Sequence, residues 1–219
     1  MRLVRIVFAG VCLAVALTAT GCLRKDVTST WYVERDLSVV WSVLEHDVRS
    51  DDSEAEQRQR DEAEFVAEAR QHNQPVARGL RQLNPTKVQT TLLRDKPPFT
   101  AETVATFQDL RVLGERILGR FGLTGYSSVE PTSNGHQWTW SIDPEARVVE
   151  DGLDDDLMAL FGSDVVRVAL AHGEFLETPG VELSEDHRIA TFPLRDILDG
   201  LDTKTGDRPT TFVLRWKDR

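Results

Sequence analysis

Nothing in this sequence constrains its folding more than the apolar run Ile6–Leu17 and the cysteine that follows shortly after it, Cys22. Twelve uncharged residues are too few to cross a bilayer, which takes about 20. Met1–Arg5 carries two positive charges ahead of the run, and Thr18, Ala19, Thr20 and Gly21 are small residues behind it. Those are the proportions of a secretory signal peptide, so residues 1–21 are expected to be removed and residues 22–219 to fold. The chain has two cysteines, and Cys12 leaves with the signal. Cys22 is then the single remaining thiol, which excludes an intramolecular disulfide, a cysteine metal site and a redox pair. The fold must rest on buried apolar surface. A hydrophobic content of 40% and the length of one large domain are enough for that.

The tetrapeptide Ala19-Thr20-Gly21-Cys22 resembles the lipobox of bacterial lipoproteins. It departs from the commonest pattern only at Ala19, where leucine is usual. The resemblance covers about the first 22 residues and implies signal peptidase II cleavage between Gly21 and Cys22. It also implies diacylglycerol on the Cys22 sulfur and a further acyl chain, such as palmitate, on its amino group. Two or three chains anchor stably because each buried CH₂ contributes about 0.8 kcal/mol. Leu23 is not the aspartate that the family uses for inner-membrane retention. The resemblance therefore implies the periplasmic leaflet of the outer membrane, or the outer face of the plasma membrane where there is only one. The order of elements after the cysteine (a tryptophan-bearing hairpin, a helix, further strands) is similar to that of other bacterial lipoproteins, too loosely to transfer residues.

The formal charge is −10, and losing Arg2 and Arg5 with the signal makes the rest more negative. Such a surface repels phosphate backbones, which sets nucleic acid aside as a partner. Arg24 and Lys25 are expected beside lipid headgroups, where a cation contributes about 1 kcal/mol. Leu23–Asp26 is the whole predicted tether, roughly 14 Å when extended, so residues 27–219 are read as one ectodomain held close to the bilayer. The single place for a subdomain boundary is 122–126, where no linker composition marks one.

Val27–Val33 and Leu37–Glu45 read as strands of a hairpin. A three-residue turn, with Asp36 in the left-handed conformation, would face Trp31 with Val39 and Ser29 with Trp41. Both tryptophans are expected in the core. Ser50–His72 reads as a helix with a Ser53/Glu56 capping box. The segment Glu45–Glu64 has nine acids against three arginines, the pattern of a solvated face. Short helices are predicted at Pro75–Leu83, Gly152–Phe161 and Pro193–Asp199. Asp109 should cap an amphipathic helix with Leu110, Leu113, Ile117, Leu118 and Phe121 on one side. Strands are predicted at Lys87–Leu93, Thr100–Phe107, Val165–Ala171, His187–Phe192 and Thr210–Lys217. Asn134-Gly135 marks a hairpin whose second strand presents Trp138, Trp140 and Ile142 together. The fold class is α+β: an antiparallel or mixed sheet built from hairpins, with helices packed on one face.

The nucleophile elbow, the zinc-protease helix and the phosphate loop are missing from the sequence. His46, His72, His136, His172 and His187 share no helical ligand spacing. Asp154-Asp155-Asp156 lacks the spacing of a calcium loop and suits a helix start. Ser184, Asp186 and His187 are triad residue types, but neighbours on an extended chain point to opposite faces. No catalytic residue, metal site or cofactor is therefore assigned. The reading that remains is a membrane-anchored, non-catalytic module binding an envelope protein, lipid or glycan. The alternatives are a cell-wall or lipid hydrolase with a dispersed site, which would need His172 or His187 beside a carboxylate and a nucleophile, and a structural envelope component.

Overall fold

A computed structural model describes residues 23–143, 155–161, 165–178, 180–192 and 210–218. Cys22, Gly21, Asp154 and the segment Pro193–Asp199, where a helix is predicted, lie outside the described residues. Strand β1 (Leu23–Val33) pairs antiparallel with β2 (Val39–Ser50), and β2 continues to β4 (Phe99–Phe107) and β3 (Lys87–Arg94). On its other side β1 runs parallel to β7 (Val166–Leu170), followed by β10 (Ile189–Phe192) and β9 (Glu182–Leu183). These seven strands form one mixed sheet. A second, antiparallel sheet holds β5 (Gly125–Pro131), β6 (Gly135–Ile142), β11 (Thr210–Lys217) and β8 (Glu174–Leu176). The class is α+β, as the alternation of the strands implied.

Only one face of the large sheet is dry. Along β4, Phe99, Ala101, Thr103, Ala105 and Phe107 are buried while the residues between them are half-buried, the period-two signature of a sheet solvated on one side. Against the dry face lie α1 (Ala55–Arg70) and α2 (Pro75–Gln82); α3 (Leu110–Arg120) packs on β5 and β6 of the second sheet, and the short α4 (Asp155–Met158) with its following 3₁₀ turn Ala159–Phe161 packs on α2. The main core runs unbroken from Trp31 and Trp41 through Val76, Leu80 and Leu113 to Trp138 and Phe212 of the second sheet. A smaller cluster of Val48, Phe65, Ala69, Phe99 and Ala101 sits under α1, with Leu23 packed against it.

The first hairpin departs from its predicted register by two residues. Val33 faces Val39 and Trp31 faces Trp41, across a five-residue connection. The left-handed residue is Leu37, at φ 67°, rather than Asp36. Asp36 instead accepts from both the amide and the hydroxyl of Ser38, which holds its carboxyl below the usual range. An even slip keeps every side chain on its own face, so both tryptophans are buried as expected. Their rings lie 5.1 Å apart. Trp41 and Trp138 each donate an indole N–H to a buried serine, Ser29 and Ser127, at 2.8 and 2.9 Å.

Helix α1 starts at Ala55, and no side chain caps it. The Ser53/Glu56 box does not form, because Asp52 accepts from the Glu54 amide and Arg58 binds the carbonyls of Asp52 and Ser53. Asp109 does cap α3 through the Arg111 amide at 2.7 Å, and the predicted apolar face is buried. Helices α2 and α4 touch through backbone: a Cβ on Gly79 would stand 2.2 Å from the Asp156 carbonyl oxygen. Arg78 beside it grips the Asp156 carboxylate with two bonds of 2.7 Å. The acid read as a helix opener thus serves as an inter-helix clamp.

Gly79→Ala should therefore lower stability by about 1–3 kcal/mol through overpacking, although alanine is the better helix former by about 1 kcal/mol. Gly119→Ala, where a Cβ meets nothing within 4 Å, should raise it by up to about 1 kcal/mol. Urea unfolding followed by circular dichroism reads both; the same sign for the two would contradict this packing.

Candidate functional site

The end of the large sheet where β1 begins gathers most of the chemistry outside the core. Leu23 is already paired with Ser50, so the sheet starts at the residue after Cys22. Two irregularities shape this end. In β2 the pairing with β1 jumps from Asp26↔His46 to Arg24↔Arg49, leaving Asp47 as the surplus residue at φ 54°. In β3 the pairing with β4 skips Leu93. Each is a β-bulge, which adds a residue and re-aims its neighbours.

Below the bulge, Val48 and Ser50 face α1 and are buried, while Arg49 faces out. Above it, Glu45 points to the dry side and is 1% exposed. Its Oε1 receives Lys25 Nζ at 2.6 Å; Oε2 is buried without a partner. Lys25, expected among headgroups, is thus turned inward, while Arg24 stays exposed.

On the wet side, Asp26, His46 and Asp47 bring one ligand atom each within 4.8 Å of one another, the one such trio among the described residues. His46 Nδ1 and Asp47 Oδ2 are 3.3 Å apart. The set could hold a divalent ion with water completing its shell, or form an ion pair when His46 is protonated. Helical spacing could not reveal it: Asp26 and His46 meet through the hairpin register and Asp47 joins through the bulge.

The other sequence candidates are dispersed. Ser184 donates to Asp186 at 2.6 Å, and Asp186 accepts from the Arg188 amide, so both close the β9–β10 turn. The Ser184 hydroxyl, with the Arg188 amide, holds the Asp186 carboxyl below its usual range. His187 Nδ1 lies 3.3 Å from the Phe175 carbonyl. It lines an open hollow with Glu177, Thr178, Val181 and Leu183, where the Thr178 hydroxyl donates to the Leu176 carbonyl. The imidazole and both hydroxyls are thus engaged with turn and backbone groups. His72 Nδ1 accepts from the Thr90 amide, and His136 lies 3.4 Å from Asp218. No helix among the described residues is long and apolar enough to cross a membrane.

No protein-family model matches the sequence, and no curated protein matches it. Among solved structures the chain is similar to the folded domain of the LppM protein of Mycobacterium tuberculosis, determined by NMR. Identity is 13%, over 93% of this chain and 94% of that chain, with a TM-score of 0.37. At that degree of superposition no role passes from one chain to the other.

Lys25→Ala would leave the Glu45 carboxylate buried and uncompensated. Removing one partner of a buried pair costs about 3–5 kcal/mol; Lys25 is 27% exposed, so about 2 kcal/mol is expected here. Adding Glu45→Gln to that variant should recover most of the loss. Equal instability of the single and double variants in urea unfolding would show that the pair is not what matters.

Proposed function

We propose that the protein is an envelope lipoprotein, anchored through acyl chains on Cys22, whose α+β body is a non-catalytic binding module working within reach of the bilayer. One observation carries the reading: regular, paired structure begins at Leu23, directly after the lipobox-like cysteine. A chain that emerges from lipid straight into a sheet has no slack to search distant space. The body stays within about one strand length of the membrane, roughly 36 Å for the 11 residues of β1. Its partner is accordingly sought in the envelope, as a protein, a lipid or a glycan.

The hydrolase alternative needs an imidazole free to take a proton from a nucleophile. The hydroxyls near His187, those of Ser184 and Thr178, donate instead to Asp186 and the Leu176 carbonyl, and this favours the binding module over that alternative. The leaflet follows from Leu23 after the cysteine, which by the lipoprotein resemblance favours the outer membrane where one exists.

Cys22→Ser should abolish incorporation of labelled palmitate and release the protein from the membrane fraction, or leave it as uncleaved precursor. Intact mass of the mature protein should correspond to residues 22–219 plus diacylglycerol and an N-acyl chain. A mature chain with an unmodified thiol, or with residues 1–21 still attached, would overturn the anchor.

A further inference from the structure

Which side of the domain meets the membrane can be argued from the rim at the start of β1. Arg24 of β1 and Arg49 of β2 are direct cross-strand partners, both exposed on the wet face. Like charges set opposite each other oppose pairing unless something neutralises them. Arg94 closes β3 on the same face, paired with Thr100, and Lys96 follows in the turn to β4. With strands about 4.8 Å apart, Arg24 and Arg49 stand side by side, and Arg94 lies two strands beyond Arg49 and one pairing step up the sheet.

Among the described residues none of these four cations is in an ion pair. Asp51 and Asp95 are exposed at the same end without pairing to them. Asp26 and Asp47 are gathered about His46 one pairing step above Arg24 and Arg49, level with Arg94 across the sheet. The acids of α1 are carried on the other side of the sheet, because α1 packs on the dry face through Phe65 and Ala69. Beside the cations stands Leu93, the surplus residue of the β3 bulge; at 56% it is the most exposed large apolar side chain among the described residues.

We propose that this rim docks onto anionic phospholipid, with Arg24, Arg49, Arg94 and Lys96 meeting headgroup phosphates and Leu93 entering the interfacial layer. The proposal rests on the anchor reading above and adds an orientation to it. Three things on the rim fit that occupant. The attachment point is one residue from Leu23, inside the rim. Guanidinium groups match phosphates by bidentate, charge-assisted bonds, and Arg24 and Arg49 present two side by side. The remainder of the chain is acidic, so an anionic surface repels the far end while attracting this one. The surface would then stand the strands of the large sheet upright, with the β9–β10 turn at Glu185 level with the far end of β1.

The test uses the acylated protein, whose mature chain has no second thiol. Asp95→Cys at the rim and Glu185→Cys at the far end, each removing one exposed acid, are labelled with a fluorophore. Each is reconstituted into vesicles carrying a nitroxide headgroup lipid, of phosphatidylcholine alone or mixed with phosphatidylglycerol. On anionic vesicles the label at 95 should lose fluorescence and the label at 185 should keep it. The loss should disappear on neutral vesicles, and on anionic ones in the background Arg49→Glu/Arg94→Glu/Lys96→Glu. Equal quenching at both positions, or at neither, in protein that still floats with vesicles overturns the orientation and leaves the anchor standing. Quenching at 95 that survives both the neutral lipid and the triple reversal overturns the role of the cations. Protein that does not float with vesicles overturns anchor and orientation together.

Discussion

The contact on which the rest of this structure hangs is the tilted packing of Trp31 against Trp41, its direct cross-strand partner in the first hairpin. Aromatic pairs of this kind contribute about 0.5–1.5 kcal/mol beyond the area they bury, but position matters more here than that increment. Trp31 also touches Trp138 of the second sheet and Phe192 of β10, and Trp41 touches Phe107 at the end of β4. One pair of rings therefore joins both sheets. The strand that bears Trp31 is central in its sheet, between β2 and β7, and is also the first to leave the proposed anchor. The central strand of the large sheet and the proposed attachment point are neighbours along the backbone.

Much of this was readable from local pattern. The α3 cap and apolar face, the Asn134-Gly135 hairpin and the burial of both hairpin tryptophans follow from periods and turn residues a few positions apart. What could not be read depends on partners far along the chain. The β1–β7 pairing brings Ser29 to Val166, and no local signal announces a parallel neighbour from so distant a segment. The register of the first hairpin was missed because Asp36 found a partner in Ser38 and left the left-handed position to Leu37. Asp156 does stand in the first turn of α4, but its grip on Arg78 was not readable because Arg78 lies in another helix. Of the candidate site, the cations were visible singly. Their grouping was not, since it arises from two bulges.

Net charge misleads in the same way. Summed over the chain it is strongly negative, and on that sum an anionic surface looks excluded. The sheet acts as a partition: α1 carries its acids on one side, and the rim arginines project from the other. Local charge, not the total, decides what each surface can approach at distances near the Debye length of about 8 Å.

The bulge at Asp47 shows how one residue can uncouple two requirements. Strand alternation counts in twos, so an inserted residue reverses the parity of everything beyond it. Without it, Val48 would sit in water and Arg49 would be driven against Phe65. With it, the tryptophan half of β2 and its final three residues obey separate phase rules, like two gears on one shaft joined by a half-tooth offset. The lower segment can thus change its surface chemistry over generations while the upper segment keeps its packing untouched.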